Sequence, residues 1–129
     1  MDGINALCDR VREAAYALHV YLGPGHFESV YETGLVHRLR KSGLRVEQQV
    51  HMRVLDEDAT VLGTCVPDLL IEGVLVAEIK AASRLSAEHA AQVMGYLRAA
   101  RLGHALLINF GGVNFEIRKY ARTLAESCA

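Results

Sequence analysis

The run Leu75-Val76-Ala77-Glu78-Ile79-Lys80-Ala81 limits what this chain can fold into more than any other stretch. Val74 to Ala81 is mostly apolar, so it reads as a central strand covered on both faces. It nevertheless carries two charged side chains, and a spacing of two directs both to one face. A buried carboxylate and a buried ammonium are costly unless partners or a metal compensate them. The fold must therefore build a sheet around this strand and bring other groups to Glu78 and Lys80. A structural ion pair between Lys80 and one carboxylate at a strand end accounts for the same spacing.

The flanking segments supply the sheet and its cover. Ile4, Leu7, Val11, Ala14, Leu18 and Leu22 recur in steps of three and four, which predicts a helix over 4–22. Gly23-Pro24-Gly25 stops it. A second helix is expected from Phe27 to Lys41, ending at Ser42-Gly43 with Gly43 left-handed. The period then changes. Val46, Val50, Met52 and Val54 alternate with polar residues and predict a strand, followed by the turn Asp56-Glu57-Asp58. Thr60 to Ile71 reads as a second strand bent at Pro67. After the strand at 74–81, Ser86 is a suitable N-cap for a helix running to Arg101, closed by Gly103. His104–Phe110 and Val113–Tyr120 are the last strands, joined at Gly111-Gly112. The order α-α-β-β-β-α-β-β predicts an α/β domain with a mixed central sheet flanked by helices.

Length and charge bound the function. The 129 residues suit one domain, and 51% hydrophobic against 22% charged residues allow a sizeable core. The net charge of −1 argues against a broad electrostatic grip on nucleic acid but permits a local basic patch. No apolar run is long enough to span a membrane, and Met1-Asp2-Gly3-Ile4-Asn5 lacks the features of a secretion signal. Cys8, Cys65 and Cys128 are an odd, widely spaced set. Reduced thiols in a cytoplasmic protein are the expectation.

Pro67-Asp68 precedes the charged strand, and register decides whether Asp68 meets Glu78. A two-residue turn at Glu72-Gly73 would oppose Asp68 to Ala77, on the wrong face. A three-residue loop, Glu72-Gly73-Val74, would pair Ile71 with Leu75 and oppose Asp68 to Glu78, about 5 Å apart. Two carboxylates at that distance suit a hard divalent cation such as Mg²⁺ or Mn²⁺. With Lys80 beside them they form a set able to hydrolyse a phosphodiester.

These residues resemble a known family. Pro67-Asp68 followed by Glu78-Ile79-Lys80 matches the PD-(D/E)xK motif of the restriction-endonuclease-like nucleases, whose αβββαβ core the predicted order also matches. Gly25-His26-Phe27-Glu28-Ser29-Val30-Tyr31 fits G-x-x-E-x-x-Y, the signature of the small GxxExxY family within that superfamily. Leu22–Gly25, Leu39–Leu44 and Ile108–Gly111 look similar too, so the resemblance spans about residues 10 to 122 of a single domain, 1–129. It implies a metal-dependent nuclease acting on DNA or, second, RNA. Asp68, Glu78 and Lys80 would be catalytic. Asp68 and Glu78 would bind the metal, with Glu28 from the first core helix. Gln92 and Tyr96 form the Q-x-x-x-Y pair that some relatives place beside the site to touch substrate. The alternative is a non-catalytic module of the same fold that binds nucleic acid or a protein.

A homodimer is expected, since cutting both strands of a duplex needs two sites. His19 reads as a satisfied, half-buried side chain. Arg38, Arg40, Lys41 and Arg45 near the second helix's end read as a solvated terminus favourable to the dipole, in preference to a phosphate track.

Overall fold

The structure, a computed structural model, describes residues 2–123. Cys128 and the tail expected to be loose beyond Arg122 fall largely outside that range. Helix α1 spans Asp2–Leu22 and α2 spans Glu28–Lys41. Strands β1 (Val46–Gln48), β2 (Met52–Leu55), β3 (Val61–Cys65), β4 (Leu69–Ile71) and β5 (Leu75–Lys80) follow. Helix α3 (Ala87–Ala100), β6 (His104–Asn109) and β7 (Glu116–Ala121) complete the order.

The main sheet runs β1-β4-β5-β6-β7. β5 and β6 are parallel and every other neighbouring pair is antiparallel, so the sheet is mixed with the charged strand at its centre. Alternation in β5 sorts its side chains by layer. Leu75, Ala77 and Ile79 join the core formed with Val11 and Leu18 of α1 and Leu35 and Leu39 of α2. Val76 faces the other way, into a second core with Val93, Tyr96 and Leu97 of α3. Glu78 and Lys80 share the parity of Val76 and therefore lie on the α3 side.

Two strands expected to be continuous are each broken. Segment 46–54 divides into β1 and β2, and 60–71 into β3 and β4. β2 and β3 form a separate two-stranded sheet. The hairpin register is nevertheless kept across the break: Gln48 pairs with Leu69 and Met52 with Cys65, so Gln49 falls opposite Asp68, and the register shifts only at Val54/Leu55. The bend has local causes. Gln49 adopts the left-handed region (φ 52°), and Pro67 has no N–H to give to a ladder. The outer half folds onto the α3 side, where Cys65 and Met94 pack against the second core.

Helix ends follow the expected chemistry with one correction. Gly43 is left-handed (φ 93°), and Leu44 N–H donates to Leu39 O at 3.1 Å. Ser86 caps α3 reciprocally with His89. The left-handed residue that closes α3 is Arg101 (φ 55°) rather than Gly103, and Leu102 N–H then reaches Leu97 O. His19 is buried with Nε2 3.0 Å from Gly112 O. Cys8 and Cys65 are free thiols, both pushed up by burial. No helix among the described residues is long and apolar enough to cross a membrane.

Candidate active site

The loop between β4 and β5 has three residues. Ile71 pairs with Leu75, Leu70 with Val76 and Leu69 with Ala77. The turn is held by Val74 N–H to Ile71 O at 3.1 Å, with Glu72 (φ 55°) and Gly73 (φ 70°) both left-handed. Continuing that register brings Asp68 against Glu78. The contact is reciprocal: Asp68 N–H donates to Glu78 Oε1 at 3.0 Å, and Ile79 N–H donates to Asp68 Oδ2 at 2.8 Å. Each carboxylate is thus anchored by the backbone beside the other.

Lys80 lies next in line. Its Nζ donates to Gln92 Oε1 at 2.9 Å and stands 3.6 Å from Glu78 Oε2. Gln92 is exposed on the first half of α3. Tyr96, one turn later, is buried, 8% exposed, and packs in the α3 core. Its hydroxyl is pushed up to about 12, by burial first and then by the charges of Glu78 and Asp68. Lys80, Gln92 and Tyr96 therefore gather around the carboxylates, Tyr96 chiefly as a core residue.

Glu28 arrives from the other layer. Its Oε2 accepts from Ala81 N–H at 3.2 Å, at the end of the charged strand. Ala81 has the parity of the α1/α2 face, while Asp68, Glu78 and Lys80 have that of α3. Glu28 thus reaches the site around the end of the sheet. Among the described residues no group of three or more His, Cys, Asp or Glu side chains is arranged to hold an ion, so the three carboxylates are not brought into one cluster.

Burial dominates the electrostatics. Glu78 is 4% exposed, and its carboxyl is pushed up to about 7, by desolvation first and by Asp68's charge second. The Asp68 N–H and the Lys80 ammonium oppose that rise. Asp68 is raised too, by burial and then by Glu32, against the pull of Ile79 N–H, Gln49 and Lys80. The donor set is all oxygen, and its charge exceeds the one ammonium beside it. That chemistry fits a hard divalent cation with two protein ligands and the remainder from water and substrate.

Two neighbours escaped the sequence reading. Gln49 Nε2 bonds Asp68 Oδ1 at 3.3 Å and both Glu32 oxygens at 3.2 and 3.1 Å. Glu32 is one turn beyond Glu28, an i, i+4 spacing that would have flagged it. Gln49 sits where the polar doublet Gln48-Gln49 interrupts the strand alternation, the only trace it leaves in sequence.

Other motif residues hold the fold. Tyr31 is fully buried, stacked on Phe110 at 4.8 Å, and its hydroxyl donates to Gly23 O at 2.6 Å. Tyr31 thus packs in the core while Glu28, three residues earlier, reaches the site. Asn109 is fully buried, accepts from Ala82 and Gly111 N–H, and donates to Ala82 O at 2.9 Å. A Cβ on Gly111 would collide with the backbone of Ala81 and Ala82, with Ala82 O at 2.6 Å. Ile108–Gly111 thus clamps the chain just after Lys80.

A five-stranded mixed sheet between helices, with Asp at the entry to one strand and Glu-x-Lys on its central neighbour, defines a restriction-endonuclease-like fold. The chain belongs to the PD-(D/E)XK nuclease superfamily, whose family model matches residues 5–121. Among solved structures, SSO0001 is similar in fold, with a TM-score of 0.60 at 20% identity, over 88% of this chain and 56% of that one. This chain therefore spans little more than half the length of SSO0001. No curated protein gave a match.

Proposed function

We propose that this protein is a metal-dependent phosphodiester hydrolase acting on DNA, with RNA the second substrate to test. The reciprocal hydrogen bonding of Asp68 and Glu78, which holds two buried carboxylates side by side next to an ammonium, carries the reading. The segment 25–31 supports placing it in the narrower GxxExxY group.

Asp68 and Glu78 would hold Mg²⁺ or Mn²⁺, and Glu28 would join by releasing Ala81 N–H or through a water. Such a cation, when bound, would make a coordinated water more acidic and stabilise charge on a phosphoryl oxygen. The chain's own groups do the positioning. Lys80, held by Gln92, directs its remaining N–H groups toward the attacking water and the charge that develops at phosphorus. Gln49 sets the rotamer of Asp68. Exposed Gln92 can also touch substrate, while Tyr96 walls the site. On a duplex, two chains related by a two-fold axis would supply one centre per strand.

The test is cleavage of single- and double-stranded DNA and RNA with Mg²⁺ or Mn²⁺, by wild type, Asp68→Asn and Lys80→Ala. Hydrolysis by wild type alone supports the proposal. Absence of hydrolysis with every metal and substrate, alongside nucleic-acid or protein binding unchanged by Lys80→Ala, leaves the non-catalytic module in its place.

A further inference from the structure

Helix α2 is polarised along its length. Its acidic residues, Glu28 and Glu32, lie in the first half at the carboxylate site. From Thr33 to Val46 there is no Asp or Glu, while His37, Arg38, Arg40, Lys41 and Arg45 all fall there. The dipole of a helix favours cations at its C-terminus, which explains their end of the helix but not their setting. Thr33, Val36, His37, Arg40, Lys41 and Gln48 line a cleft of about 480 Å³ between α2 and β1. Arg40 is fixed in its wall by donating to Val46 O at 2.7 Å. Gln48, at the inner end, donates to Glu32 Oε2 at 3.1 Å, and Glu32 is joined through Gln49 to Asp68. The basic cleft is therefore tied to the carboxylate centre, around the end of the sheet, by the hydrogen-bonded series Gln48, Glu32, Gln49 and Asp68.

We infer that this cleft holds backbone phosphates of the nucleic-acid strand beyond the scissile bond, a reading that rests on the nuclease proposal for the centre itself. The spacing sets the reach. Glu32 and Arg40 are eight residues apart on one helix, which is about 12 Å at ~1.5 Å per residue. A strand stacked at ~3.4 Å per nucleotide covers that in roughly three to four nucleotides. The molecule's charge is close to balanced, so the cleft concentrates on one flank the positive field that the chain as a whole lacks. Phosphate contacts position a strand without reading its bases, so binding here adds affinity and direction but no sequence preference.

The experiment is fluorescence anisotropy with a labelled 12-nucleotide single strand of DNA, its RNA counterpart, a DNA trinucleotide, and a labelled oligoglutamate. Binding is measured across a salt series with Ca²⁺ present. Lys41→Gln and Arg40→Gln/Lys41→Gln are compared with wild type, with melting curves confirming the fold. Arg12→Gln, a cation paired with Asp9 on α1, is the control. The expected result is a loss of affinity on the order of tenfold for the double variant on both 12-mers. The slope of log K against log salt should fall by about 0.7 per phosphate contact removed, and the trinucleotide should be unaffected. Should the double variant misfold because Arg40 no longer ties Val46, Lys41→Gln alone must still show the shallower slope. Unchanged affinity and slope in Lys41→Gln, an equal loss in Arg12→Gln, or tighter binding of oligoglutamate than of either 12-mer would overturn the inference. Weakened binding in a protein that never cleaves would leave the cleft standing while removing the nuclease reading. Full cleavage with binding indifferent to Lys41 would do the reverse.

Discussion

Glu78 and Asn109 are buried polar residues near the ends of adjacent parallel strands, and they differ in kind. Glu78 is in register with Leu107 and Lys80 with Asn109, so Asn109 lies two residues further along, on the same face as Glu78. Asn109 is neutral, with both ends of its amide bonded to backbone at 2.9 to 3.0 Å. Glu78 is ionisable, flanked by a second carboxylate, and displaced toward its protonated form. A satisfied neutral knot stabilises the fold and has nothing left to offer a ligand. A buried carboxylate whose charge is only partly offset is costly, and such groups concentrate where chemistry is done. The knot also serves the site, because it clamps the chain that leaves Lys80.

The sharpest way to break this comparison is to remove function without stability. Lys80→Ala should lower hydrolysis at least about a hundredfold while leaving substrate affinity and the melting curve nearly unchanged. Single-turnover cleavage and anisotropy on the same preparation check it, and a matching loss of binding would mean Lys80 only anchors substrate. The converse is Gly111→Ala. The added methyl meets backbone that cannot move without releasing Asn109, so destabilisation of about 3 kcal/mol is expected, read by urea denaturation. Unaltered stability would show that the clamp yields.

The pH dependence comes next. Glu78's folded pKa of about 7 exceeds its ordinary 4.5, so the folded metal-free protein holds the proton more tightly than the unfolded chain. Its contribution to stability is present below pH 4.5 and is lost as pH rises through about 7. Glu78→Gln should flatten the curve in that window, whereas Asn109→Ala should lower it at every pH. The smallest effect is cation stabilisation. Mn²⁺ at a hundred times its dissociation constant adds about 2.7 kcal/mol and raises the melting temperature. Asp68→Asn should abolish that shift, and an equal shift in the variant would place the ion elsewhere.

Much of the fold was legible because its signals are local. Apolar steps of three and four gave α1 and α2, and the glycine at 43 ended α2 as expected. The loop length before β5 was one of two readings, and the chemistry of the charged strand selected the one observed. Glu32's place one turn beyond Glu28 is legible on the helix, but its approach to Asp68, like that of Gln49, is not, because it depends on how a helix lies across the end of a strand. The divided hairpin was missed for a related reason. Pro67 and the doublet Gln48-Gln49 mark the bend locally, but that the outer half leaves the main sheet to pack on α3 is decided only by packing.

By itself the sequence determined that a central strand would carry Glu78 and Lys80 on one face, because a pleated strand alternates its side chains whatever surrounds it. It also determined that Tyr31 and Glu28, three residues apart on a helix, would serve one segment. Tertiary structure alone decided that Tyr31 stacks on Phe110 in the core while Glu28 crosses to Ala81. It alone bound Asp68 and Glu78 each to the other's backbone, and joined the basic half of α2 to their site through Gln48 and Glu32. Those outcomes depend on which layers meet and at what register, and contacts between distant segments exist only once the sheet and helices are packed.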